Sequence, residues 1–489
     1  MLLLACALLP TVLGGAMPFL RIQRRKGRMI YAVSAVCLTS VLVFYCLFQP
    51  RMDPVELFRL SDRFVCRLAL DQAGKVYLGL AALLWPFAAL YAVEYMQHEA
   101  REGNFFAWYT VSFGAAILMS AANNLFTLYI FYEWLTLCTV PLVWHRKDGE
   151  STRAAVQYML YLIGGAALGF AAVMLVPAFM KVDGTFCLGE AGGYTPSSYV
   201  DPRCVWIVLL GFLGFGVKAA VLPLCRWLPT ASVAPTPVTA LLHAVAVVNA
   251  GVFAVARVLY YTVPNSCIRG TWAQTVMLIL STATILYGAV MAVREQQVKK
   301  RLAWSTVSNL SYMLFGLSLL SESGMAAGMA HMVFHGLMKI ILFYCAGAVL
   351  VQTDRTQVRQ MQGLGRKMPL AFGCFTLAGL SLVGIPPLPG FVSKYALVTA
   401  AFEQQGVWAV AGAVALLIAA VLTTIYIFTI VYPAFFMEFR PIPGEKAPRD
   451  GGVCMTVTLV ALSGMLLLAG IFAGRFMEML AGLAQGVIA

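Results

Sequence analysis

The sequence predicts an all-α polytopic membrane protein of about 14 transmembrane helices, and three observations carry that expectation. Of its 489 residues, 61% are hydrophobic and only 11% are charged, with a mean hydropathy of +0.82. Apolar runs recur from end to end, each near the roughly 20 residues that cross about 30 Å of hydrocarbon. Basic residues gather in the short segments between these runs. A soluble domain carries about 25% charged residues, and a soluble core of this length could not hide so much apolar surface.

The runs fall at 1–20, 28–49, 75–97, 105–121, 124–144, 155–180, 204–225, 238–261, 272–293, 302–320, 325–350, 369–400, 407–433 and 453–474. Met1–Leu20 resembles the apolar core of a signal peptide, but Arg21, Arg24, Arg25, Lys26 and Arg28 follow it. A cleavable signal has its positive charges in front, so this is read as the first span, with the N-terminus outside. In that orientation the inner segments hold about 21 Lys and Arg against about 9 outside, as a cytoplasmic-membrane protein requires. Segments 50–74 and 181–203 read as outer loops, and about 15 residues follow the last span.

The net charge of +13 does not point to nucleic acid, because no soluble basic domain exists to bind it. Twelve cysteines are scattered without a C-x-x-C or haem-attachment motif, so neither a metal site nor a cofactor is implied. Cys187 and Cys204 flank the longer outer loop, a spacing compatible with a disulfide or with two thiols.

Four basic residues, Lys218, Arg257, Lys339 and Lys394, lie inside apolar spans, joined by Glu133. Each costs at least about 2.5–3.5 kcal/mol near the bilayer centre, and such groups face a bundle interior or a wet cavity. Glu133, in LFTLYIFYEWLTLCTVPLVW, is too deep to snorkel and fits either a structural ion pair or a carboxylate paired with a titratable lysine. Lys218 follows glycines at 211, 214 and 216, but a phosphate loop needs Ser or Thr after the lysine and a strand before it. Here the glycines read as helix-packing positions. Burial disfavours a lysine's charge and a nearby carboxylate restores it, so moving Glu133 against Lys218 would load or unload a proton.

His331, His335 and Lys339 stand at i, i+4 and i+8, on one helix face, spanning about 12 Å. Two histidines at i, i+4 also suit zinc, but the Glu of H-E-x-x-H is missing, and titration near neutrality fits better. His243 is a lone histidine on an apolar face, where a satisfied core residue is the plainer reading. Asn249, six residues on, needs a partner in lipid. Lys394 follows the helix-breaking run Gly384, Pro386, Pro387, Pro389, Gly390, and Lys218 precedes Pro223, Pro229, Pro235 and Pro237. The two lysines mirror each other about interrupted segments, the pattern of inverted repeats with an ion site at the interruption. The expected organisation is 1–104 (three helices), repeats at 105–261 and 272–433, and 434–489 (a loop and the last helix).

The segments YEWLTLCTVPL, GFGVKAAVLPLCRWLPTASVAPTPVTALLHA, KKRLAWSTVSNLSYM, HMVFHGLMKIILFYCAG and GIPPLPGFVSK resemble the antiporter-like subunits of proton-translocating NADH-quinone oxidoreductase. They are equally similar to the D-type antiporter component of Mrp sodium/proton antiporters and to membrane subunits of energy-converting hydrogenases. The resemblance covers roughly 75–440. It implies 14 helices with two inverted five-helix repeats, Glu133 and Lys218 as a regulated pair, and Lys339 as central proton carrier aided by His331, His335 and His243. It further implies Lys394 at the exit half-channel and Lys299 as an inner-face lysine. Gln297 stands where an acid often precedes that lysine, and Asn249 where some relatives carry lysine. Lys394, against a glutamate in the M-type relatives, and the short C-terminal segment leave an Mrp D-like, N-like or hydrogenase-linked subunit.

The partners this implies are homologous antiporter-like subunits, small hydrophobic subunits and lipid, with peripheral redox subunits as a further class. Two other functions stand against a translocating subunit. A self-sufficient carrier for sodium would usually add buried acids beyond Glu133, and a structural or quinone-site anchor would not need mirrored lysines.

Overall fold

The computed structural model describes residues 2–20, 22–49, 52–179, 186, 202–442 and 447–488. In chain order the elements are α1 (Leu2–Ala16), α2 (Arg25–Leu47), β1 (Val55–Ser61), β2 (Phe64–Leu68), α3 (Gln72–Tyr95), α4 (Glu102–Ser120), α5 (Leu125–Val143), α6 (Gly149–Phe179) and α7 (Val205–Gly216). There follow α8 (Trp227–Ala231), α9 (Thr236–Ala244), α10 (Val248–Arg257), α11 (Asn265–Ile268), α12 (Trp272–Arg294), α13 (Val298–Ser318) and α14 (Glu322–Thr353). The last are α15 (Leu364–Lys367), α16 (Pro369–Val383), α17 (Pro389–Gln404), α18 (Val407–Phe436), α19 (Val453–Ile471) and α20 (Ala473–Ile488).

Among the described residues, nine helical segments of 19 to 32 residues are long and apolar enough to cross a membrane. α1, α16 and the stretch Pro202–Gly216 are shorter apolar helices. The protein is a multi-pass helical membrane protein. Three of its long helices start where a side chain satisfies a free backbone donor: Asp71 accepts from Gly74 N (2.8 Å), Asn124 from Thr127 N (2.7 Å) and Ser321 from Gly324 N (3.1 Å).

Burial separates core from periphery. The segment Thr236–Thr262 is wholly enclosed, and 83% of the apolar stretch of α14 is buried, against 33% for α19. α14 packs on α9, α13, α16, α17 and α20 and is the axis of the bundle. Close packing uses the expected glycines: a Cβ on Gly214 would come 2.9 Å from the Gly165 carbonyl of α6.

Four expectations change. The segment 50–74 carries an antiparallel hairpin, Val55 opposite Leu68 and Ser61 opposite Phe64, because alternating Val, Leu, Phe and Cys give it one sheltered face. The stretch 369–400 is two helices, parted where Gly384 takes a left-handed turn (φ 97°) ahead of Pro386 and Pro387. The run 238–261 is α9, an unwound step at Val245–Val247, α10 and a π-helical turn Val258–Thr262. Residues after the last span form α20, whose Leu480 and Ala484 turn inward. Cys187 lies outside the described residues.

Candidate functional site

The first buried charges meet where α7 ends. Lys218 sits just past Gly216, fully enclosed, in the irregular stretch that precedes α8. Its ammonium donates to the backbone carbonyl of Tyr132 and stands 3.4 Å from the centroid of the Tyr132 ring. Glu133 is the next residue of α5. No ion pair joins it to Lys218 among the described residues, and its Oε1 is buried without a hydrogen-bond donor. The lysine is thus held by a neutral carbonyl and an aromatic face while its acid waits unpaired one residue along the same helix.

The second group lines α14. His331, His335 and Lys339 are fully buried and share the face their spacing predicts. His331 shares hydrogen bonds with Ser393 Oγ (2.9 Å) and Asn309 Oδ1 (3.2 Å). Lys339 donates to the Leu302 carbonyl at 3.0 Å and to Ser305 Oγ. Among the described residues, His335 and His243 have no hydrogen-bond partner at either ring nitrogen. His243 closes α9 beside the unwound step, its ring 4.7 Å from that of Phe343. That step approaches α14 at Gly336, where a Cβ would lie 2.6 Å from the Ala244 carbonyl. His335 feels the charges of Lys339, His331, His243 and Lys394, so these five groups form one electrostatic cluster.

Lys394 stands in the second turn of α17 and reaches back across the break, donating to Leu382 O (2.6 Å) and Val383 O (3.2 Å). These are closing carbonyls of α16, where a helix end favours positive charge. No hydrogen bond connects the Glu133–Lys218 pair directly to the α14 cluster among the described residues. α10 touches both: Gly251 packs on Lys218, and Asn249 donates to Ala244 O (2.7 Å) and Met332 O (3.4 Å). Asn249 Oδ1 is buried and has no hydrogen-bond partner among the described residues.

Lys299 reaches a cavity. It opens α13, ahead of the span 302–320, donates to Ala234 O at 2.6 Å, and helps line a cavity of about 520 Å³ with Tyr95, Glu99, Arg146, Glu150 and Asp354. Burial pushes its ammonium down from 10.5 to about 7; Arg146 pushes the same way, and Glu99 and Glu150 oppose.

Residue type and spacing find these residues but not their partners. Arg257 stands out in the sequence only as a buried charge. It forks onto Asp71, in a stretch the sequence presents as loop, under Phe186, Phe253 and Tyr261, 4.5–5.1 Å away. No local pattern links residues 186 positions apart. The unwound step beside His243 also has no signal, since no proline or glycine marks it. Among the described residues no group of three or more His, Cys, Asp or Glu is placed to hold a metal ion.

Comparison with known proteins gives the arrangement a lineage. Residues 122–438 match the family described as NADH:quinone oxidoreductase/Mrp antiporter, TM. The chain is 30% identical over 402 residues to NADH-quinone oxidoreductase subunit L of Mycobacterium tuberculosis, covering 81% of this chain and 61% of that protein. It therefore spans about three-fifths of that relative's length. A chain of an archaeal respiratory complex, the membrane-bound sulfane sulfur reductase, shares its fold with a TM-score of 0.85 at 21% identity, covering 99% of this chain and 97% of that one. A chain of the Mrp complex from Dietzia sp. DQ12-45-1b gives 0.84 at 20% identity, covering 100% and 98%. With the matched region spanning Glu133 through Lys394, the chain belongs to the NADH:quinone oxidoreductase/Mrp antiporter transmembrane family.

Proposed function

We propose that this chain is a proton- or Na+/H+-translocating membrane subunit of a multisubunit redox-driven pump or Mrp-type antiporter. The observation that carries the reading is the run of enclosed titratable side chains, His243, Lys339, His335, His331 and Lys394, at the centre of a lipid-facing bundle. Groups that need only structural support would be paired with acids or left out. Here the cations rest on carbonyls and hydroxyls, and among the described residues two histidines keep both nitrogens free of hydrogen bonds. Protons pass along Lys218, His243, Lys339 and Lys394. His331 and His335 lie between the last two, Lys299 links the path to the basic-loop side, and Asn249 is the polar group between Lys218 and the α14 cluster. Separation of Glu133 from Lys218 is the gate, driven by a neighbouring subunit.

The finer architecture belongs to this proposal: 14 transmembrane helices, inverted five-helix repeats at 105–261 and 272–433, and an outside N-terminus in the cytoplasmic membrane. The mirrored breaks at Val217–Arg226 and Gly384–Leu388 support the repeats. The partners are homologous antiporter-like and small hydrophobic membrane subunits, with peripheral redox subunits in a pump.

Gentle-detergent purification with mass spectrometry of the associated chains tests the assignment. Co-purified iron–sulfur, flavin or nickel subunits indicate a redox pump, and only small hydrophobic subunits indicate an antiporter. A chain that comes alone and still moves ions in liposomes overturns the proposal in favour of a self-sufficient carrier.

A further inference from the structure

We propose that Glu99, Arg146 and Glu150 form a charge switch that sets when Lys299 exchanges a proton with water on its own face, the Glu99–Arg146 ion pair being its moving part. The inference rests on the assignment of Lys299 to the proton path. All four residues line the same cavity of about 520 Å³, yet they come from four separate stretches: the segment after α3 (Glu99), the α5–α6 connection (Arg146), the first turn of α6 (Glu150) and the start of α13 (Lys299).

Both carboxylate oxygens of Glu99 accept from Arg146 Nε at 3.2 Å, and Arg146 Nη2 completes the fork on Oε1. The Arg146 side chain is 39% exposed and that of Glu99 13%. A pair so placed at a wet rim is weakly held and readily exchanged for water. Its two members act on Lys299 with opposite sign, since Arg146 disfavours the ammonium while Glu99 and Glu150 favour it. Closed, the pair largely cancels its own field. Open, it leaves a carboxylate beside Lys299 that attracts a proton there. His98, Lys300, Asp354 and Arg355 also face this cavity. Arg355 is tied down by Gln360 O (2.6 Å) and Arg440 O (2.7 Å).

Arg146 lies three residues beyond the end of α5, the helix that carries Glu133. A twist of α5 that changes the approach of Glu133 to Lys218 therefore also pulls on Glu99. This couples the state of the buried pair to proton exchange at the cavity without any contact between Lys218 and Lys299.

The test is the rate of proton translocation against pH on the Lys299 face, in membrane vesicles that retain the full set of partner subunits. Protonated Lys299 loads the path, so the rate falls as pH rises through its titration. Glu99→Gln and Glu150→Gln move the half-point to lower pH and Arg146→Gln moves it to higher pH, each by about 0.5–1 pH unit. A purely structural pair would lower the rate at every pH and leave the half-point in place. Unmoved half-points, or shifts all of one sign, in assembled protein overturn the switch. Should the variants at 99 or 146 fail to accumulate, the exposed Glu150 decides: no shift in Glu150→Gln overturns the proposal. Lys299→Ala separates the two layers. If it leaves rate and profile unchanged, the assignment of Lys299 falls and the switch with it. If it stops transport while the charge variants shift nothing, only the switch falls.

Discussion

Lys218 and Lys394 each lie at a break in a helical stretch, yet they are held differently. Lys218 sits inside its break, against the Tyr132 carbonyl and ring, with the unpaired Glu133 on the same helix as that tyrosine. Lys394 sits in the helix after its break and is bound by two carbonyls at the end of α16. One environment contains an acid without a partner of its own among the described residues, whereas the other is backbone. A charge that must be switched needs a mobile counter-charge. A charge that must only receive and release needs a constant, moderate field, which a helix end provides.

The comparison can be broken or sharpened experimentally. The largest effect is expected at the switched site, where Glu133→Gln and Lys218→Ala each lower translocation by about 100-fold. The chain should still assemble with its partners, as measured by co-purification. A loss of assembly in both would make the pair structural. Lys394→Ala should lower the rate by about tenfold, because the neighbouring helix end still polarises water there. If Lys394→Ala proved as severe as Lys218→Ala, the distinction between switched and fixed sites would fail. Ser393→Ala removes one hydrogen bond from His331, worth about 1 kcal/mol, and should slow transport severalfold without altering chain abundance. An unchanged rate would remove His331 from the path.

Most of the site is legible as residue type and spacing. A charge within an apolar run is conspicuous because lipid has no other reason to hold it, so Glu133, Lys218, Lys339 and Lys394 stand out at once. The i, i+4, i+8 spacing of His331, His335 and Lys339 survives as one face of the unbroken α14. What the sequence hides is pairing over distance. Ser393 and Asn309 come to His331 from 62 and 22 residues away, and Asp71 comes to Arg257 from 186 residues away. The hairpin is hidden for another reason, since its short alternating strands are easily lost among long apolar runs. The step at Val245–Val247 follows from tertiary packing against Gly336 rather than from any local breaker.

The hairpin also bears on speed. Arg67 N donates to Thr127 Oγ1 at 2.9 Å and Asn124 Nδ2 to Val65 O at 2.7 Å, which pins the start of α5 to β2. Arg146 ties its far end to Glu99. A helix pinned at its start through two hydrogen bonds does not slide by a helical turn, so in the proposed gate Glu133 would change its distance to Lys218 by rotating its side chain and by slight twist of the helix. Side-chain rotations are complete within nanoseconds where there is room, whereas sliding or tilting of whole helices takes microseconds to milliseconds. On the proposed mechanism such a gate equilibrates with the motion that drives it, and the slow step of a turnover is expected in that driving motion.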